Sequence, residues 1–347
     1  MRSTRRSVSG SILLSVLLAL PAAAERPQAP LVSAQADAGV MDGYFKYQTG
    51  ELIVGDVGTL GAWRIVESWQ SKLKFPEDVL WAGAGATLGG AAAEKWDWRL
   101  AGRVWKNLDD PRDKMSDEDI FIYQESLGIY GKDDNRRITE GLQGRLYTES
   151  DAELNAYGLD GRLEFIRQTE VGDLSFFLGH RYQTLEYDLY GIQGYASGLA
   201  ALGFPDGPVP PLSGSTKVGS YETDMQIPYF GLGGFWDVFE RLHVSLSAAY
   251  SPWVQLTDED HHVLRGFVAE SDTDGTAWIL QAGGRLDLTE QAFVRLSAEY
   301  LTLSTDGDTS TVYYRATAQT PAGMAFNGPI GMDESRVMVY ASLGLEF

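Results

Sequence analysis

The sequence predicts an all-β fold, a transmembrane antiparallel β-barrel of about ten strands with long extracellular loops. Two observations predict it. The first residues are laid out like a secretory signal, and the remainder alternates apolar and polar residues in short segments. After Leu20 no run of 18 or more apolar residues follows, so no membrane helix is expected. The 347 residues include 17 Tyr, 9 Trp, 14 Phe and 39 Gly, a composition suited to aromatic girdles and tight turns. In such a barrel outward side chains meet lipid and inward ones meet water, which imposes a two-residue period.

In chain order, Arg2, Arg5 and Arg6 form a positive n-region, Ile12 to Leu20 an apolar h-region, and Ala22-Ala23-Ala24 a small-residue cleavage site. Cleavage after Ala24 would leave 323 residues and take the net charge from −20 to −23. Residues 25–43 are expected as a periplasmic segment and 44–347 as the barrel. Turn signals divide the barrel into strands near 44–55, 71–87, 95–106, 152–167, 172–190, 219–236, 240–256, 276–289, 291–304 and 333–347. Alternation is clearest in four of them. Trp98, Leu100 and Val104 oppose Asp97, Arg99 and Arg103; Trp278, Leu280 and Leu286 oppose Gln281, Arg285 and Asp287. Val294, Leu296 and Tyr300 oppose Arg295, Ser297 and Glu299, and the last strand sets Val337, Val339, Leu343 and Leu345 against Arg336, Ser342 and Glu346. The closing Leu345-Glu346-Phe347 resembles the C-terminal assembly signal of bacterial outer-membrane barrels. An even strand number puts both termini on the periplasmic side. Tight connections are then expected at Asp237-Val238-Phe239 and Thr289-Glu290, and outer loops at 107–151, 191–218, 257–275 and 305–332.

Composition excludes several functions. With no cysteine there is no disulfide framework, Cys-ligated metal or thiol nucleophile. With 48 Asp and Glu against 28 Lys and Arg, there is no basic surplus to displace counterions from nucleic acid. The acidic balance suits cationic partners.

The residues that carry chemistry fall in two clusters on the expected outer rim. Asp117-Glu118-Asp119 follows the third strand, and Asp258-Glu259-Asp260-His261-His262 follows the seventh. In an extended chain residues i and i+2 share a face, so Asp117 pairs with Asp119 and Asp260 with His262. A carboxylate beside an imidazole fixes its tautomer, and two close carboxylates share a proton, so together they could activate a water. No metal site is expected: Asp272-Thr273-Asp274-Gly275 and Asp306-Gly307-Asp308 lack a full calcium-loop pattern. Strict alternation from Leu242 through Tyr250 would point Asp260 and His262 at lipid, unless a bulge at Pro252 resets the register.

At these residues the chain resembles the omptins, ten-stranded outer-membrane proteases. The Asp-x-Asp and Asp-x-His occupy the family's positions; Ile227-Pro228-Tyr229-Phe230-Gly231-Leu232, Tyr250-Ser251-x-Trp253-Val254, Ser71-Lys72-Leu73 and Gly344-Leu345-x-Phe347 resemble its strand motifs. The resemblance implies endoproteolysis of cationic peptides or proteins at basic sites, dibasic ones included. Asp260 would orient His262, His262 would act as base, and Asp117 and Asp119 would hold the water. Asp258 would bind the basic side chain, with Glu67 as a second acidic wall, and no cofactor is implied beyond lipid. Omptins bind lipopolysaccharide through basic residues on strands five and six. Here Glu186 or Thr184, and Asp224, stand at those places, so the usual basic ligands are not evident. The alternatives are an inactive omptin-like barrel acting as adhesin or passive outer-membrane protein, and a barrel lipase using His243 and Ser245.

Overall fold

The computed structural model describes residues 32–51, 63–126, 142–199, 205–316 and 321–347; the signal expected at 1–24 lies outside the described residues. Twelve strands are present among them: β1 (Val32–Glu51), β2 (Trp63–Pro76), β3 (Val79–Ala93), β4 (Trp96–Asn107), β5 (Met115–Ser126), β6 (Leu142–Gln168), β7 (Asp173–Ser197), β8 (Gly207–Phe239), β9 (Leu242–His262), β10 (Phe267–Asp287), β11 (Ala292–Tyr313) and β12 (Ala325–Glu346). All pair antiparallel in one sheet, and β12 closes on β1, so that the described strands form a closed ring.

Twelve strands fill ten places around the ring. Along β1, Met41 pairs with Val79 of β3 and Tyr44 with Pro76 of β2, so one register continues across the break at Glu77-Asp78. Along β6, β4 covers the lower half and β5 the upper, with residues 108–114 looping between them. The ring is therefore the predicted ten-stranded barrel, with two strands interrupted midway.

Two expectations need correction. β1 begins at Val32 and pairs with β12 from Ser33 onward, so residues 32–43 are barrel wall rather than a periplasmic segment. Their outward face sets three alanines, Ala34, Ala36 and Ala38, between Val32 and Val40 and ends at Asp42, too weakly apolar a stretch to announce a strand. The strands also run on through much of the expected outer loops. β9 continues to His262 and β10 starts at Phe267, so the 257–275 loop is almost all strand. Above the membrane both faces meet water, and the hydrophobic alternation that reveals a strand disappears.

The lipid belt is visible in the outward side chains. Leu100, Leu163, Leu178, Leu232, Leu246, Leu280, Leu296 and Val339 are exposed on the outer wall. Tyr157, Phe230, Trp253, Trp278 and Tyr300 form an aromatic row at its upper edge. Leu296→Arg, near mid-belt, is expected to destabilise the folded barrel by about 2–4 kcal/mol in denaturant titrations in lipid vesicles.

Inside, charged side chains cross the barrel and leave a cavity of about 130 Å³ between Arg99, Arg162 and Arg295. Arg181 pairs with Glu299 at 2.6 Å and with Asp160 at 2.7 Å. Arg336 pairs with Glu334 at 3.0 Å, and Gln183 donates to Glu334 at 2.8 Å. Above these layers Phe45, Phe75, Tyr187 and Tyr221 stack into an aromatic plug, with Phe75 and Tyr221 centroids 4.4 Å apart. This plug is the floor of the open upper mouth.

The register along β9 decides what the mouth contains. Ala249 and Ser251 point inward, and so do Val254, Leu256, Asp258 and Asp260. The parity changes at Pro252-Trp253, where the pairing with β10 shifts between Gly275 and Ala277, and that with β8 between Gln226 and Phe230. Proline has no N–H for the ladder, so the extra residue is accommodated there as a bulge. Without it Asp260 and His262 would face outward.

Candidate active site

His262 lies nine residues above Trp253, roughly 30 Å along the strand at about 3.3 Å per residue. The site therefore stands well clear of the lipid belt. β9 brings in Asp258, Asp260 and His262, β5 brings Asp117 and Asp119, and the four-residue turn between β9 and β10 brings Arg265. Gly266 holds that turn with a φ of 70°, a conformation that suits a residue without Cβ.

The Asp260 carboxylate is 3% exposed and joins two partners through one oxygen. His262 Nε2 lies 2.9 Å from Asp260 Oδ2, and the Tyr47 hydroxyl donates to the same atom at 2.5 Å. Burial works against the charge on Asp260, but the charge and hydrogen bond of His262, then the Tyr47 hydroxyl, outweigh it and hold the carboxyl below its ordinary range. The His262 ring stacks on Phe267, centroids 4.2 Å apart, which fixes its plane.

Asp117 and Asp119 share the inward face of β5. Arg265 Nη2 reaches Asp119 Oδ2 at 3.2 Å and Asp117 Oδ2 at 3.9 Å, and Ser71 on β2 lies 3.4 Å from Asp117. Burial and the neighbouring Asp119 charge push the Asp117 carboxyl up to about 7, against the pull of Arg265 and His262. The charges of Asp260 and His262 reach Asp117, so the two clusters act on one space.

Two cavities open on either side of this group. One, of about 260 Å³, is lined by Tyr47, Asp258, Phe267, Tyr313 and Phe326; the other, of about 320 Å³, lies against Met115, Asp117, Leu189 and Val218. Asp260, His262 and Arg265 line both, and so form a ridge between them.

Over residues 92–347 the sequence matches the family model for omptins. The chain belongs to the omptin family. It is accordingly a Gram-negative outer-membrane β-barrel from a family of proteases. The match includes Asp117, Asp119, Asp258, Asp260 and His262; Tyr47, Glu67 and Ser71 precede it. Among solved structures, this omptin is similar to the outer membrane protease OmpT of Escherichia coli, with 17% identity, 93% of this chain and 99% of that chain covered, and a TM-score of 0.66. The outer membrane protein OprG (12% identity, 92% and 98% covered, TM-score 0.29) and a FadL homologue (10%, 91% and 90%, 0.27), both of Pseudomonas aeruginosa, also match, at much lower TM-scores. A comparison with curated proteins gave no match.

Asp258, the expected substrate residue, lies under the smaller cavity. It is 7% exposed, and its Oδ1 has no hydrogen-bond partner. Burial pushes its carboxyl up to about 7; the Ser271 hydroxyl opposes the shift and the Asp260 charge adds to it. Glu67 sits in β2 at the register shift between Val66 and Ser68, and its side chain lies outside the described residues. At the places expected for lipopolysaccharide ligands, Asp224 accepts from Tyr182 and Thr184 at 2.6 and 2.5 Å, and Glu186 accepts from Asn155 at 2.6 Å.

Three residues of the site were not singled out from the sequence: Tyr47, Arg265 and Phe267. Tyr47 carried a signal, since Phe45, Tyr47 and Thr49 alternate. Arg265 carried a weaker one in the Val263-Leu264-Arg265-Gly266 turn. The lipase reading loses its base, because both His243 nitrogens are engaged, by Asp237 at 2.7 Å and Asp287 at 2.8 Å.

Proposed function

We propose that this omptin is an endopeptidase of the extracellular barrel mouth, cleaving beside basic residues with a water activated between His262 and the Asp117–Asp119 pair. The observation that carries the reading is the hydrogen bond of His262 to the buried Asp260 carboxylate, on a ridge facing two carboxylates, with a buried carboxylate oxygen left without a partner beneath the adjoining cavity. With Nε2–H donating to Asp260, the lone pair of His262 resides on Nδ1, where it can accept a proton from water. The new bond joins that water oxygen to the scissile carbonyl carbon. The proton then passes from His262 to the leaving amine as the C–N bond breaks, and Asp260 stabilises the transient imidazolium. Asp117 and Asp119 hold the water opposite His262, and Asp258 receives a guanidinium or ammonium group.

A passive or adhesive barrel would follow if Arg265 capped the aspartates permanently. Its side chain is 43% exposed on a short turn, which favours a movable cap over a fixed one.

The test is to refold residues 25–347 in detergent, with and without lipopolysaccharide, and follow a quenched peptide containing arginine. Cleavage is expected. A correctly folded barrel that cleaves no basic peptide under either lipid condition would overturn the proposal. Because Asp117 must be ionised to hold the water, cleavage should fall as pH drops through about 7. Arg265 favours the ionised form, so Arg265→Gln is expected to move that acid limb to higher pH in a kcat–pH profile.

A further inference from the structure

The two cavities flanking the ridge differ in chemistry. The smaller one holds a buried carboxylate, Asp258, whose Oδ1 has no hydrogen-bond partner, and suits one basic side chain. The larger one, on the β5–β8 side, is walled by Met115, Leu189, Ile192, Val209, Val218 and Leu264. Met115, Leu189 and Val218 are buried, so this wall is packed and preformed. Among the described residues, the carboxylates and the arginine that line it are Asp117, Asp260 and Arg265, all at its ridge side and all already engaged with one another, His262 or Tyr47.

We propose that this second cavity is a subsite for a bulky aliphatic side chain on the other side of the scissile bond, so that the cleaved bond joins a basic residue to an aliphatic one. The inference rests on the proteolytic reading above and narrows its substrate class. A peptide whose cleaved bond lies at His262 must cross the ridge, because His262 lines both cavities, and consecutive side chains then fall to opposite sides. Among the described residues, the cavity beyond has no free acidic group at its far wall to receive a second cation. Seating an arginine there would strip its hydration without compensation, whereas an aliphatic side chain gains by burial. A dibasic bond is therefore the poorer substrate.

The experiment compares three quenched peptides with identical flanks, carrying Arg-Arg, Arg-Leu or Leu-Arg at the centre, with the cleaved bond located by mass spectrometry. One mixed peptide should exceed Arg-Arg by about tenfold or more in kcat/KM, the scale on which an apolar pocket discriminates. Ile192→Asp and Val209→Asp, both on half-buried positions of the cavity wall, should lower that ratio and raise relative cleavage of Arg-Arg. Two variants are used so that one failing to refold leaves the other, and folding is read by circular dichroism. Equal or faster cleavage of Arg-Arg by the unmodified barrel would overturn the inference while leaving the protease intact. So would an unchanged ratio in a folded variant. Absence of cleavage of all three peptides would overturn the proteolytic reading, and this inference with it.

Discussion

His262→Ala is expected to reduce kcat on a basic peptide by about a thousandfold or more, within the range that a positioned acid–base group supplies. The His262 ring touches Asp260 and Phe267 and is itself only half-buried, above the aromatic plug rather than part of it, so the variant should still refold. KM should change little, because the imidazole acts on the water rather than on the side chains that anchor the peptide. Asp260→Asn should cost less. An asparagine retains an acceptor for Nε2–H and for Tyr47 but loses the charge that stabilises the imidazolium. Combining the two changes should add almost nothing to His262→Ala alone, since the pair works as one unit. Single-turnover cleavage of a quenched peptide measures all three variants. Retention of more than about a tenth of the parental kcat by a folded His262→Ala variant would assign the base elsewhere.

What the sequence disclosed follows from where lipid and water impose different demands. Within the belt, Leu296, Leu280 and Val339 alternate with Ser297, Gln281 and Tyr340, and the strands were legible there because one face must be apolar. Beyond the belt the same strands carry Thr, Ser and Asp on both faces, so their length was underestimated on β9 to β12. At β1 the outward alanines hid the first twelve barrel residues. The acidic and histidine clusters were legible because Asp-x-Asp and Asp-x-His put like-facing residues at a strand's period. Their inward direction was not, since it depends on the Pro252 bulge, which reverses parity without changing the motif. Tyr47 and Arg265 reach the site from distant elements. The Tyr47 hydroxyl bonds Asp260 across 213 residues of sequence, and the Arg265 guanidinium meets Asp119 across 146, separations that no local pattern encodes.

Asp258→Asn should separate two consequences of burying one carboxylate. In the proposed function Asp258 neutralises the basic side chain, and removing one partner of a desolvated ion pair typically costs about 2–5 kcal/mol. Cleavage of a peptide with a single arginine should therefore fall by roughly thirtyfold or more in kcat/KM, mostly through KM, while a neutral analogue in place of arginine loses little. The same replacement should stabilise the empty barrel at alkaline pH. Burial raises the folded-state value of Asp258 to about 7, above its ordinary value near 4, so the folded chain holds this proton more tightly than the unfolded one. Stability is then lost as pH rises from about 4 to about 7, and the full cost is present above 7. Asparagine bears no such cost. Urea unfolding in detergent should thus show the variant more stable than its parent at pH 8, with the gap closing as pH approaches 4. Arginine-containing peptide, bound to an active-site variant such as His262→Ala, should close the gap from the other side, because it stabilises the parent and not Asp258→Asn made in the same background. A parent equal in stability to Asp258→Asn at pH 8, and unaffected by the peptide, would mean that Asp258 is hydrated when empty and does not anchor the basic residue.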